Sequence, residues 1–210
     1  MELTLWLTFF LAAWAISLSP GAAAVAAMSA GLNHGFARGH AIVYGLVLGV
    51  STQVAIVAAG VGALIAASAT AFTVVKWVGA AYLVWLGIQQ WRAPAMRLDA
   101  PAAAVAATPP PRRTLALRGW IINALNPKGT VFLLAVVPQF VEPARPLTTQ
   151  YAAIGATLML TEFVVMCAYA LLAARVLRLF SAPAQMRAMN RAFGGLFVAA
   201  GLLLAGFKRV

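Results

Sequence analysis

The sequence predicts an all-α, polytopic membrane protein: six transmembrane helices forming two inverted three-helix repeats, with helices 1 and 4 broken. Three observations predict it. First, 63% of the 210 residues are hydrophobic and only 9% are charged, with a mean hydropathy of +0.92. A soluble domain carries about 25% charged residues, so most of this apolar surface must be solvated by lipid. Second, the apolar residues gather into six charge-poor runs near the ~20 residues that a helix needs to cross the hydrocarbon core. The shorter, alternating pattern of barrel strands is absent. Third, a proline-glycine break interrupts the first and the fourth run at corresponding positions, Ser19-Pro20-Gly21 and Asn126-Pro127-Lys128-Gly129.

The first run extends from Leu3 to about Ala30 without a charge, and the second from about Gly39 to Ala66. Gly45 and Gly49 give the second a GxxxG face suited to close helix packing. The third runs from about Phe72 to Trp91. Then follows "RAPAMRLDAPAAAVAATPPPRR", with five of the eleven prolines and four arginines, the composition of an extended linker. The fourth run covers about Leu115 to Val141, the fifth about Thr148 to Ala174, and the sixth about Ala192 to Phe207. Trp77, Trp91 and Trp120 sit near segment ends as interface anchors. The chain divides into a repeat over 1–92, a linker over 93–114 and a second repeat over 115–210.

The net charge of +11 does not indicate nucleic acid, because the cations lie in short gaps between apolar runs and form no aromatic-interleaved basic face. Arg38 lies between runs one and two. Arg92, Arg97, Arg112, Arg113 and Arg118 lie between three and four, and Arg175, Arg178, Arg187 and Arg191 between five and six. The opposite connections hold only Arg145. Lys and Arg are retained in the cytoplasm, so the cation-rich loops face inward and six spans put both termini outside, against the weaker pull of Lys208 and Arg209. A first segment that dips in and returns would put the N-terminus inside and leave the other loops unchanged. With three spans each, the halves have opposite orientations, the arrangement in which transporters use paired broken helices.

Proline in a helix removes one i→i−4 hydrogen bond, and glycine frees the backbone further. Released backbone groups survive in a bilayer only against protein or a polar cavity. The new helix N-terminus carries N–H donors and partial positive charge that suit a carboxylate. Ser19, Pro20, Gly21, Asn126 and Pro127 are therefore candidate solute-binding residues. Charges inside a membrane are costly and face the bundle interior, a partner or a pathway, which singles out Lys128 and Glu162. A cation and an anion suit the two charged groups of an amino acid, and Glu162 suits a group that takes and releases a proton. The same two residues also fit a structural ion pair, or a lysine reaching for the interface. Gln53 and Asn123 add neutral polar groups that bond either a substrate or a neighbouring helix. Gln139, beside Pro138, reads as helix termination.

The sequence holds no HExxH, GxSxG or Walker lysine motif, and its four acidic residues, Glu2, Asp99, Glu142 and Glu162, form no catalytic pair. The expectation is a non-enzyme without cofactor or metal. His34 and His40 flank Arg38 with no further ligand nearby, and the lone Cys167 can make neither an internal disulfide nor a two-cysteine relay. No Lys or Arg precedes the first apolar run, so it lacks the basic start of a signal peptide.

These residues carry a resemblance. "SPGAAAVAAMSAGLNHGFARGHAIVYGLVLGV", "VVKWVGAAYLVWLGIQQWR", "NALNPKGTVFLLAVVPQFV", "YALLAARVLRLF" and "MNRAFGGLFVAAGLLLAGFK" together resemble the LysE/RhtB superfamily of bacterial amino-acid exporters over nearly the whole chain. Asn123, Asn126, Pro127, Lys128, Pro138, Gln139 and Phe140 match its second motif, and Glu162 takes the place of the acidic residue typical of segment five. Two positions depart: Ala22 and Ala23 stand where the family reads Pro-Asn after the first Ser/Thr-Pro-Gly, and Gln53 stands where a histidine is frequent. The resemblance implies a secondary exporter of amino acids or close derivatives in the bacterial inner membrane, energised by an ion gradient, the proton gradient being the expectation here. Its partners would be a small-molecule substrate and the lipid bilayer, and self-association into a homo-oligomer is compatible with the sequence. Export of another small metabolite or cation, or a non-transporting membrane subunit, are the competing readings.

Overall fold

The computed structural model describes residues 2–67, 69–92, 110–142, 144–176 and 183–206. Most of the expected linker, together with Arg97, Asp99, Arg178, Lys208 and Arg209, lies outside the described residues. The elements are α1 (Leu3–Leu18), α2 (Ala22–His34), α3 (Phe36–Gly39), α4 (Ala41–Ala67), α5 (Ala69–Arg92), α6 (Arg112–Ala124), α7 (Pro127–Val136), a 3₁₀ turn (Val137–Gln139), α8 (Leu147–Val176) and α9 (Pro183–Gly206). All are helical, as the composition requires. Two stretches, Phe36–Gly60 and Leu147–Arg175, are long and apolar enough to cross a membrane singly. Two bent pairs, α1 with α2 and α6 with α7, qualify together, giving two to four candidate spans among the described residues. The sequence expectation of six is not met by this criterion. In α5 and α9 the charge-free runs Trp77–Trp91 and Ala192–Gly206 are shorter than the ~20 apolar residues of a typical crossing helix.

Both breaks form where the prolines dictate. α1 ends with the Ser19 N–H on the Ala15 carbonyl, Pro20 offers no donor, and α2 departs at 55° from extended Gly21. α6 ends at Ala124, and α7 leaves it at 49°. The second break is thus at Leu125–Asn126, slightly ahead of the stretch that the sequence suggested. Pro127 takes the first helical position, where its missing N–H costs nothing, and the Asn126 side chain caps the helix by accepting from the Lys128 N–H at 3.1 Å. Lys128 and Gly129 consequently belong to the first turn of α7. Gly35, with φ +66°, makes the turn between α2 and α3 that other residues rarely adopt.

Small residues bring the helices together. Gly87 and Gly194 face each other across α5 and α9, each leaving a Cβ only 2.6 Å from the other's carbonyl oxygen, and Gly201 meets Ala80 one step further on. That register makes α5 and α9 antiparallel. α4 runs parallel to α6: Gly119 packs on Ile42, Gly45 on Ala116 and Gly49 on Asn123, as the GxxxG face foretold. α1 and α2 run parallel to α8, through Trp6 on Thr157, Ser17 on Thr161 and Gly31 on Ala170.

Two apolar clusters result. One takes Phe9 and Ala13 of α1, Val50, Val54 and Val57 of α4, Phe132, Leu133, Ala135, Val136 and Val137, and Ile154 and Leu158 of α8. The other takes Ala23, Ala24, Ala27, Met28 and Ala30 of α2, Ala41, Ile42, Val43 and Leu46 of α4, Leu115 of α6, and Val165, Met166, Ala170 and Ala173 of α8. α4 and α8 pass from one cluster to the other, and the chain changes cluster between α1 and α2 and between α6 and α7; Ser17, Ser19, Gln53, Asn123, Thr161 and Glu162 are all buried.

Candidate functional site

The polar residues between the clusters surround one cavity. Ser19 and Gly21 come from the first break, Gln53 from α4, Asn123 from the end of α6, and Asn126, Lys128 and Gly129 from the second break, with Glu162 from α8. The open space measures about 40 Å³. At ~10–15 Å³ per water position, it admits a few waters but no whole amino acid.

Lys128 reaches from the second break to the first. Its Nζ donates to the backbone carbonyl of Ser19 at 2.7 Å and approaches that of Pro20 at 3.4 Å. These are carbonyls at the C-terminal end of α1, where partial negative charge gathers. The ammonium also stands 5.5 Å from the ring centre of Phe197, within cation–π range. Gly21 lies beside the lysine stem, where an added Cβ would make ordinary contacts of 3.4 Å with Cδ and Nζ.

Asn123 links the other members. Its amide donates to the Leu46 carbonyl at 2.7 Å and to Glu162 Oε1 at 3.1 Å, and its Oδ1 lies 3.5 Å from the Asn126 amide. Gln53 Nε2 donates to the carbonyls of Asn123 and Asn126 and to Thr130 Oγ1, at 2.8, 2.9 and 3.0 Å. It thereby ties α4 to the second break, adding a side-chain donor to two carbonyls that also accept the backbone N–H groups of Asn126 and Thr130. Gln53 Oε1 and Ser19 Oγ are buried without a hydrogen-bond partner.

Of the sequence-predicted site residues, Ser19, Gly21, Gln53, Asn123, Asn126, Lys128 and Glu162 line this cavity, and Pro20 and Pro127 do not. Pro20 and Pro127 act through the backbone: Pro20 offers its carbonyl, and Pro127 starts α7. No direct ion pair joins Lys128 to Glu162 among the described residues; the ion pairs formed there are those of Arg145 with Glu2 and Glu142. The lysine instead spends its charge on carbonyls, a partner no side-chain pattern reveals. Sequence reasoning missed Ser17, Thr161 and Thr130. Thr130 falls four residues after Asn126 and hence on the same helical face, a signal that could have found it. Ser17 and Thr161 meet at 3.1 Å only through the packing of α1 on α8.

The two helix starts differ. Asn126 caps α7 with its own side chain, whereas no side chain caps α2, because its N-cap residue, Gly21, has none to offer. The start of α2 borders the cavity, with Gly21, Ala23 and Ala24 in its wall together with Lys128. Cation, uncapped helix start and carboxylate thus border one small space.

The LysE type translocator model matches residues 14–206. A homoserine/homoserine lactone efflux protein of Salmonella typhimurium is 42% identical over 203 residues, 97% of each chain. An uncharacterized membrane protein of Vibrio cholerae is 40% identical over 209 residues, 99% of this chain and 100% of the relative. A leucine efflux protein of an Enterobacter strain is 30% identical over 150 residues, 71% of this chain and 67% of the relative. No solved structure matches the chain. A family match across both breaks and the cavity between them, with apolar helices throughout, assigns this membrane-integral chain to a family of transporters: it belongs to the LysE type translocators.

Proposed function

We propose that this protein exports amino acids or close derivatives across the bacterial inner membrane, driven by the proton gradient. The observation that carries the reading is the meeting of the two breaks, with Lys128 of one on the carbonyls of the other and Glu162 in the same cavity. The relatives named for homoserine and leucine efflux support the substrate class.

Helix directions support six crossings in two inverted repeats. With alternating crossings, segment one must parallel five, two must parallel four, and three must oppose six. The pairs α1–α2 with α8, α4 with α6, and α5 with α9 have those directions. A two-fold axis in the membrane plane would exchange the first pair with the second and return the third to itself. The repeats would then cover 1–92 and 115–210, joined by a cytoplasmic linker, with the cation-rich loops inside.

In this mechanism the substrate carboxylate meets the uncapped start of α2 and the Lys128 ammonium. The substrate ammonium, or the counter-moving proton, goes to Glu162. The small cavity represents the closed state, and export requires the half-helices α2 and α7 to part on one side and then on the other.

The test is transport by purified protein in liposomes loaded with labelled homoserine or leucine. Efflux of the label that quickens with an imposed pH gradient is the expected result. No movement of any amino acid would overturn the reading and favour a non-transporting subunit, and movement indifferent to the pH gradient would remove the proton.

A further inference from the structure

We infer that Gln53, with Ser19, selects substrates by accepting a hydrogen bond from a hydroxyl on their side chain. The inference rests on the export reading above and adds which atoms tell one amino acid from another.

Gln53 is 1% exposed, and its amide cannot turn. Nε2 points at two backbone carbonyls and the Thr130 hydroxyl. Rotating the group by half a turn would set Oε1 against those carbonyl oxygens. Oε1 is therefore fixed on the other side of the amide, where it has no hydrogen-bond partner in a residue that lines the cavity. Gly129, also in the cavity wall, stands close to this oxygen, and an added Cβ there would lie 2.5 Å from Oε1. Ser19, 3% exposed, contributes a second unpartnered oxygen to the same cavity. Buried polar atoms are nearly always hydrogen-bonded, so two unpartnered ones in one cavity mark where a polar ligand atom belongs.

The chemistry of that atom follows from what the remaining groups can do. Oε1 only accepts, so it calls for a donor. Lys128 and the start of α2 suit the carboxylate, and Glu162 suits the ammonium. The donor left for Oε1 is a neutral one on the side chain, and a hydroxyl fits because it can also bond Ser19 Oγ. A site built to bond a hydroxyl rejects the isostere that lacks it, because its own polar atoms are then left bare. Oε1 also discriminates against a lactone, whose ring oxygens only accept.

The experiment compares homoserine with norvaline, its isostere with a methyl in place of the hydroxyl, in liposomes containing the full chain. Wild type should prefer homoserine by about tenfold or more in kcat/KM. Ser19→Ala removes an oxygen that bonds nothing in the protein, and it should narrow the preference several-fold with the folded yield unchanged. Gly129→Ala crowds Oε1 without removing the amide, and Gln53→Leu removes both ends. Each should bring the ratio towards one by loss of homoserine transport, with norvaline retained. Size-exclusion profiles of the detergent-solubilised variants identify any that fail to fold, and the Ser19→Ala ratio then decides alone. A wild-type ratio near one, variants that leave the ratio unchanged, or equal losses for both substrates would overturn the assignment, the last by giving Gln53 to the shared ammonium. If wild type moves neither compound, the export reading itself fails.

Discussion

The side-chain ammonium of Lys128 lies 2.7 Å from the backbone carbonyl oxygen of Ser19, so the cation of one helix break closes the other. Residues more than a hundred positions apart thus form one polar centre between two apolar clusters. A lysine inside a bilayer is costly, and this geometry offsets part of the cost by satisfying the carbonyls freed by Pro20.

Removing that cation should weaken substrate binding. Lys128→Met keeps the apolar stem and loses a charge-assisted contact of about 1.5–3 kcal/mol. The expected result is a KM raised roughly tenfold to a hundredfold, with a smaller change in kcat. Loss of membrane insertion in proportion to loss of transport would give Lys128 a purely structural role.

Space beside the lysine should be graded. A Cβ on Gly21 would meet Lys128 at 3.4 Å, an ordinary contact, so Gly21→Ala should transport at near wild-type rate. Gly21→Val carries methyls into the stem and should abolish most transport. Steady-state efflux of the two variants checks this, and equal rates would show that the lysine position is not critical.

Glu162 is the proposed proton carrier. Glu162→Gln keeps an oxygen for the Asn123 amide, which now bonds Oε1 at 3.1 Å, so the fold should survive. Uphill accumulation driven by a pH gradient should disappear, while downhill exchange of labelled for unlabelled substrate continues. Gradient-driven accumulation at the wild-type rate would end the coupling role.

The cap on α7 makes a prediction about stability. Asn126→Ala removes the oxygen that accepts from the Lys128 N–H, and such caps are worth about 1 kcal/mol. The detergent-solubilised variant should unfold a few degrees lower, and Asn126→Ser should restore much of the difference. An unchanged midpoint for Asn126→Ala would mean that the cap contributes nothing.

Helix approach can be tested with matched glycines. A Cβ on Gly87 would collide with the Gly194 carbonyl at 2.6 Å, whereas Gly60 has nothing within 4 Å. Gly87→Ala should lower folded yield and thermal midpoint, and Gly60→Ala should leave both unchanged. The comparison separates helix separation from the general helix-favouring effect of alanine.

The amino-acid sequence by itself determined what local physics controls. Composition required lipid as solvent, apolar run lengths required helices, and Pro20 and Pro127 broke two of them because a proline offers no donor. Lys128 and Glu162 stood out because a buried charge needs a reason. The tertiary structure decided what depends on chain crossings. It gave Lys128 carbonyls as its partner in place of Glu162, brought Ser17 to Thr161, and turned Gln53 Nε2 onto the second break, leaving its oxygen beside Gly129 without a partner. Backbone carbonyls carry no residue identity, and the hydroxyls of Ser17 and Thr161 look like any others in an apolar helix. Their roles follow from how closely Gly45, Gly119, Gly87 and Gly194 let the helices approach, and that distance is fixed only when the helices pack.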